Sequence, residues 1–299
     1  MAYQTIMINN PAYLSIDSGR VKITQNNISS YLSLEDVACI VLDNQQIIVT
    51  SALLSLAAEN KVVIIIVGFN HIPNGLLLSY LPHSRQNQVF KLQIKTTQHF
   101  KNLLWQVIIR QKITNQAIAC EKIKGNSGKL RELAKNVSIG DVANHEAEAS
   151  RKYFLLIFGE NFTRNCNHYA NALLNYGYSI IRSLIAKIVV ASGLLPSLGI
   201  HHDNELNSFN LVDDLIEPYR GFIDWYIIEA VSINFELNVN SKRQIVDILY
   251  HKIIIDNKSM TILNSIQVMV NSVILSLRTK QVTLVLPQLP EILERSNLD

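Results

Sequence analysis

Cysteine is scarce in this chain. Cys39, Cys120 and Cys166 stand far apart in 299 residues. No CxxC pair and no Cys/His zinc spacing occurs, and an odd count gives no disulfide framework. Each cysteine reads as a small buried hydrophobe. A basic leader is missing too. The segment MAYQTIMINN has neither a cationic flank nor a long apolar run, so no signal peptide is expected. Two uncharged stretches fall short of membrane spans. Residues 62–84 contain Gly68, Pro73 and Gly75, which break a helix. Residues 259–277 contain Asn264, Gln267 and Asn271, which are costly in lipid. Both read as buried core, and a soluble cytoplasmic protein is expected. Internal repeats and low-complexity tracts are also absent.

What is present is a globular composition, with 48% hydrophobic residues. The length allows two domains and a sizeable core. Net charge is only +3, but it is unevenly placed. Residues 85–135 carry eleven Lys or Arg against two acids, a local +9, so the remainder is acidic. Such a band suits a polyanion, or an ordinary solvated helix face.

The texture divides the chain near residue 80. Before it, YQTIMI, AYLSI, RVKIT, VACIVL and KVVIIIV are short, β-branched runs separated by turn residues. A helix near Ser51–Glu59 interrupts them. A β-sandwich or split sheet is expected over residues 1–80. Between Pro82 and Pro196 proline vanishes, and apolar residues recur every three or four positions. An all-α domain is expected over residues 81–299, giving an α+β protein.

Chemistry concentrates in GIHHDNELNSFNLVDDLIEPYRGFIDW, residues 199–225. Asp214 and Glu217, three apart on a helix, point to one patch. Asp213, Asp214 and Glu217 lie in an apolar run, where carboxylates need cations or donors. His201 and His202 precede them, and an imidazole with carboxylates suits Mg²⁺ or Mn²⁺. A local Glu217–Arg220 ion pair, with Asp213 solvated, is the structural alternative. Upstream, Asp141 is a plausible N-cap for a helix over 143–158, with Ala149, Tyr153 and Leu156 as its buried stripe. Glu146 sits at the end of that stripe, as a ligand or a capping group. Asn171, Asn175 and Tyr178 alternate with apolar residues and need partners.

Four segments occur in order: ExxAxxxYF from Glu146, NALLNYGY at 171–178, GLLPSLGIHH at 193–202, and FNLVDDLIEPYR at 209–220. Together they resemble the CRISPR-associated integrase family, the universal adaptation enzyme of those immune systems. The DDLxEPYR form and the length look closest to the type II form, found beside the large single-protein RNA-guided nuclease. The resemblance implies that Glu146, His202 and Glu217 bind a divalent metal, with Asp214 as the supporting acid. Ala147 and Gly221 depart from the family's usual glycine and proline, and paired histidines leave the ligand ambiguous by one residue. The implied reaction is transesterification, a DNA 3′-hydroxyl attacking a phosphodiester, or hydrolysis by water at the same site. Lys91, Lys95, Arg131 and Lys135 would touch the captured double-stranded fragment; Arg151, Lys152 and Arg220 would fix carboxylates or contact phosphate. Joining two ends of a fragment to a repeat array favours a homodimer, with the β domain as a dimerisation surface, and the family adds a small dimeric partner protein. A structure-specific nuclease on branched DNA and a non-catalytic DNA-binding scaffold remain alternatives.

Overall fold

The short apolar runs at the start of the chain pair into two four-stranded sheets. They are β1 (Gln4–Ile8), β2 (Ala12–Asp17), β3 (Arg20–Gln25), β4 (Ile28–Leu32), β5 (Val37–Leu42), β6 (Ile47–Val49), β7 (Val63–Val67) and β8 (Pro73–Leu77), with helix α1 (Ser51–Glu59) before β7. One sheet runs β1-β5-β7-β8 and the other β4-β3-β2-β6. β1, β5 and β7 are parallel. Parallel strands are covered on both faces, which is why VACIVL in β5 is buried at every position. The β2–β3–β4 meander turns on Ser18-Gly19 and on Asn26-Asn27, all four at positive φ, as tight hairpins require. Thr50 caps α1 by accepting from the Leu53 amide. Leu14, Val21, Ile40, Leu53 and Ile64 share one core, so both sheets and α1 close on the same interior.

The computed structural model describes residues 4–69, 72–80, 86–160, 162–164, 169–230 and 237–290. The chain divides into two units, Met1–Ser84 and Arg85–Asp299. The second unit holds α2 (Gln86–Ile94), α3 (Gln98–Lys124), α4 (Leu130–Asn136), α5 (His145–Phe158), α6 (Tyr169–Ala191), α7 (Asn210–Ala230), α8 (Val239–Asp247) and α9 (Ile262–Thr279). A hairpin, β9 (Lys252–Ile255) and β10 (Lys258–Thr261), lies between α8 and α9 and adds a small sheet to an otherwise helical unit. The segment 259–277 is β10 and the amphipathic α9, as a buried-core reading requires. Residues 170–191 are long and apolar enough to span a membrane, but most of that stretch is buried, and its helix α6 packs on α7. Cys39 and Cys120 are buried; Cys166 lies outside the described residues.

α7 is the central helix. Leu211, Val212, Leu215, Ile216, Tyr219, Phe222 and Ile223 are buried on one face, and Asp214, Glu217, Gly221 and Asp224 are buried on the opposite one. A helix wrapped this completely forces its acids into the interior, so Asp214, Glu217 and Asp224 each need a partner. α3 packs against it closely. A Cβ on Gly221 would lie 2.8 Å from the backbone of Asn115 and Gln116. Only glycine lets the two backbones approach so far. Asn115 locks the contact by donating to the carbonyls of Pro218 and Pro287, at 2.6 and 2.9 Å.

Candidate metal centre

Asp214 organises the histidine turn. Its carboxylate is fully buried and accepts from the amides of Ile200, His201 and His202 at 2.5, 3.0 and 3.1 Å. Three converging amides are the donors a buried carboxylate needs. The turn is tight enough to exclude a side chain at Gly199, whose Cβ would lie 2.1 Å from the His202 carbonyl oxygen. His202 Nδ1 then lies 2.7 Å from Asp214 Oδ1, and this bond raises the imidazole pKa. With the Nδ1 proton directed at Asp214, Nε2 is the nitrogen left to bind elsewhere. The neighbouring ring differs. His201 stacks on Trp105, with centroids 4.2 Å apart and planes 3° off parallel, and burial lowers its pKa.

Glu217 sits one turn further along α7. Burial alone would raise its pKa, but the charges of Arg220 and Lys112 outweigh this and hold it at about 2. Arg220 Nε donates to Oε1 at 2.8 Å. Lys112 Nζ, from α3, lies 2.5 Å from Oε2. The same ammonium donates to Glu146 Oε1. Glu146 reaches it from the first turn of α5, where the Asp141 carboxylate accepts the His145 and Glu146 amides at 3.0 and 2.9 Å. Asp141 thus caps the helix, which begins at His145, two residues later than the sequence pattern suggests. Glu146 is consequently free of capping duty. Its Oε1 also accepts from Ser150 Oγ at 3.1 Å.

Two acids 71 positions apart therefore meet on one cation. They line a cavity of about 250 Å³ with Lys112, Ser150, Arg164, Tyr178 and Arg220. His202 stands close enough for the Glu217 charge to act on it. Among the described residues, however, no cluster of three or more His, Cys, Asp or Glu forms a ready-made coordination shell. Glu146 and Glu217 are brought together; His202 feels the Glu217 charge but does not line the cavity the two acids share.

Comparison with known proteins agrees on the family. Residues 6–235 match the family described as CRISPR associated protein Cas1. The chain is 37% identical over 277 residues to a CRISPR-associated endonuclease Cas1 of Neisseria meningitidis serogroup C (strain 8013), covering 91% of each chain. This chain belongs to the Cas1 family. Its fold is that of a Cas1 protein from Thermotoga maritima, with a TM-score of 0.74 at 15% identity, covering 94% of this chain and 99% of that one. A casposase bound to integration product shares it, with a TM-score of 0.76 at 18% identity, over 94% of this chain and 92% of that one.

Several residues of this Cas1 chain stand differently from the sequence reading. Asp213 is not a solvated neighbour. Arg182 of α6 clamps it at 2.5 and 3.0 Å, and Asn207 donates at 2.7 Å. The buried stripe of α5 runs Ala149, Tyr153, Ile157, with Leu156 only half-buried. The basic band is partly spent on partners within the chain. Lys112 is buried on the two glutamates, Lys101 donates to the Gly199 carbonyl, Arg110 donates to the Val137 carbonyl, and Arg131 is gripped by Glu121 at 2.6 and 2.5 Å. Lys91, Lys95, Lys135 and Arg151 are exposed, whereas Lys152 pairs with Glu148 at 2.9 Å. Arg220 is bound to Glu217 and lies over the Tyr178 ring, so its reach is toward the carboxylate.

Behind the glutamates lies a second buried acid. Asn171 and Asn175 both accept from Arg164, at 2.6 and 2.5 Å, and Tyr178 donates to Asp224. Burial raises the Asp224 pKa to about 6, and the Tyr178 hydrogen bond and Arg164 only partly offset it. A carboxyl whose folded pKa is raised stabilises the fold fully below its unfolded pKa near 4, and loses that contribution as pH rises through the folded value. Stability should therefore fall by on the order of 2 kcal/mol between pH 4 and pH 6.5 from this group. Urea titrations of wild type and Asp224→Asn across that window check this: the decline should be absent from the variant.

Lys112, Trp105, Arg164 and Asp224 were not singled out by their local sequence. Lys112 left one trace: it falls on the apolar stripe of α3, four after Ile108 and four before Gln116.

Proposed function

We propose that this Cas1 chain is a divalent-metal-dependent DNA integrase and endonuclease of CRISPR adaptation, joining the 3′-OH ends of captured fragments to a repeat array by transesterification. The observation that carries this is the meeting of Glu146 and Glu217 on one cation, with the Glu217 charge acting on an imidazole held by Asp214. The donor set fits Mg²⁺ or Mn²⁺: two carboxylates and an imidazole nitrogen suit a hard or borderline ion. Glu217 Oε2 is buried with the Lys112 ammonium 2.5 Å away, so a metal at this oxygen would take the place of that ammonium.

Glu146, Glu217 and His202 Nε2 are the residues that would hold the ion. A bound divalent cation supplies Lewis acidity to a phosphodiester oxygen and offsets charge on the pentacoordinate phosphorus. The chain's own part is positioning. Asp214 fixes the His202 tautomer and ring plane, and Arg220 fixes Glu217 against rotation. Exposed Lys91, Lys95, Lys135 and Arg151 approach DNA phosphates, which positions the duplex without reading its sequence. Arg131 and Lys152, already paired with acids, contribute less.

Insertion of a fragment needs two active sites, which supports a homodimer. The outer face of the β4-β3-β2-β6 sheet exposes Tyr13, Tyr31 and Ile48 and is the surface we assign to it. A structural neighbour described as a Cas6-RT-Cas1–Cas2 complex supports a small Cas2 partner for this chain. The DDLxEPYR form supports the type II subtype, and DNA substrates support a cytoplasmic site of action.

The deciding assay offers a 3′-OH fragment and a supercoiled repeat-bearing plasmid with Mn²⁺, beside a branched junction. The proposal expects joined product that chelator abolishes. Cleavage of the branch without joining would instead favour a repair nuclease, and joining that survives Glu146→Ala would favour a scaffold role. A separate salt titration tests the footprint. Replacing both Lys91 and Lys95 with Ala should lower the slope of log affinity against log salt by about two. An unchanged slope removes the pair from the DNA path.

A further inference from the structure

Lys112 is a buried cation of the second unit. Its side chain is 7% exposed, and it joins an acid from α5 to an acid from α7. Without its charge, Glu146 and Glu217 would face each other across a poorly solvated gap. That repulsion would open the site. The ammonium also lies between the two carboxylates that the metal reading assigns as ligands. A lysine and a divalent cation cannot share that point, because like charges at such range repel strongly.

We infer that Lys112 is a resident counter-cation, holding Glu146 and Glu217 together until a divalent ion displaces it. The inference rests on the metal-site reading above. The cavity provides a place for the displaced ammonium. Gln116 lies one turn along the same face of α3, is almost fully buried, and leaves its Oε1 without a hydrogen-bond partner. Gln116 and Asp224 both line the cavity that Lys112 itself borders. A four-carbon stem moving away from the glutamates meets an unused acceptor and a buried acid. Lys112 is thus a positioning residue that sets how tightly the metal is held.

The test reads Mn²⁺ binding, not turnover. Titration calorimetry and Mn²⁺ EPR on the full chain compare wild type, Lys112→Gln and Glu146→Gln. Removing the competing charge should tighten Mn²⁺ binding in Lys112→Gln roughly tenfold or more. The metal-free variant should melt at a lower temperature than wild type, and saturating Mn²⁺ should raise its melting temperature by more. Equal or weaker Mn²⁺ binding in Lys112→Gln overturns the inference. Wild-type binding that is lost in Glu146→Gln keeps the metal reading intact even then; no Mn²⁺ binding in wild type or Lys112→Gln overturns both. Should Lys112→Gln not fold, amine acetylation of wild type read by mass spectrometry decides. Lys112 should be protected without metal and react several-fold faster at saturating Mg²⁺. Unchanged protection overturns the displacement.

Discussion

Glu217→Ala should abolish fragment joining and destabilise the protein in the same stroke. The catalytic loss is expected to be on the order of 10²–10³-fold or more, the scale of removing a group that stabilises transition-state charge. The stability loss has a separate origin. Glu217 is buried between Arg220 and Lys112, and its removal leaves both cations short of an anion. Breaking a buried pair from one side costs about 3–5 kcal/mol. Glu217→Gln separates the two effects. It keeps the volume and an acceptor oxygen, so it should recover part of the stability and none of the joining. Fragment insertion and guanidinium unfolding on the same preparations check both. An alanine variant that folds poorly yet joins normally would mean that Glu217 is structural alone.

The second large effect belongs to Asp214. Asp214→Ala removes one carboxylate and strands three amides and an imidazole. Each buried donor left unsatisfied costs about 1–3 kcal/mol, so a loss of about 3 kcal/mol or more is expected. The turn from Gly199 to His202 should loosen, and affinity for Mn²⁺ should fall about 10–100-fold, the scale for partners behind a metal-bound histidine. His202→Ala provides the contrast. The half-exposed ring can leave without stranding the amides, so joining should be lost while the melting temperature barely moves. If His202→Ala destabilises as much as Asp214→Ala, the histidine holds the turn and the ligand role fails. Hydrogen exchange at residues 200–202 reads the loosening directly.

The contrast between these residues shows what one-dimensional reading can reach. Glu217 and Asp214 were visible because a charged group in an apolar helical run is locally anomalous. β5 and β7 were visible for the converse reason, since strands buried on both faces are continuous β-branched runs. β4, β6 and β8 were not. They hold ISSYL, three residues of IIV, and a segment containing Pro73 and Gly75. Sheet edges carry less apolar patterning, and their pairing is decided by neighbours remote in sequence. The β9–β10 hairpin is likewise short and sits between helices.

Charge partners are the harder case. Counting cations placed Lys112 in a polyanion-binding band with Lys91 and Arg131. Charge alone carries no information about burial, and its two acids lie 34 and 105 positions away. Asp213 is similar: its clamp comes from Arg182, across the packing of α6 on α7. Gly221 was legible only as a departure from the family's proline. The fold supplies its physical reason, the close approach of α3 to α7.

The most direct test of the metal centre is anomalous diffraction from crystals grown with Mn²⁺. The account predicts one strong peak between the carboxylates of Glu146 and Glu217, with His202 Nε2 as the third ligand and Lys112 turned away. A peak elsewhere, or none while Lys112 still bridges the two acids at saturating Mn²⁺, would contradict it.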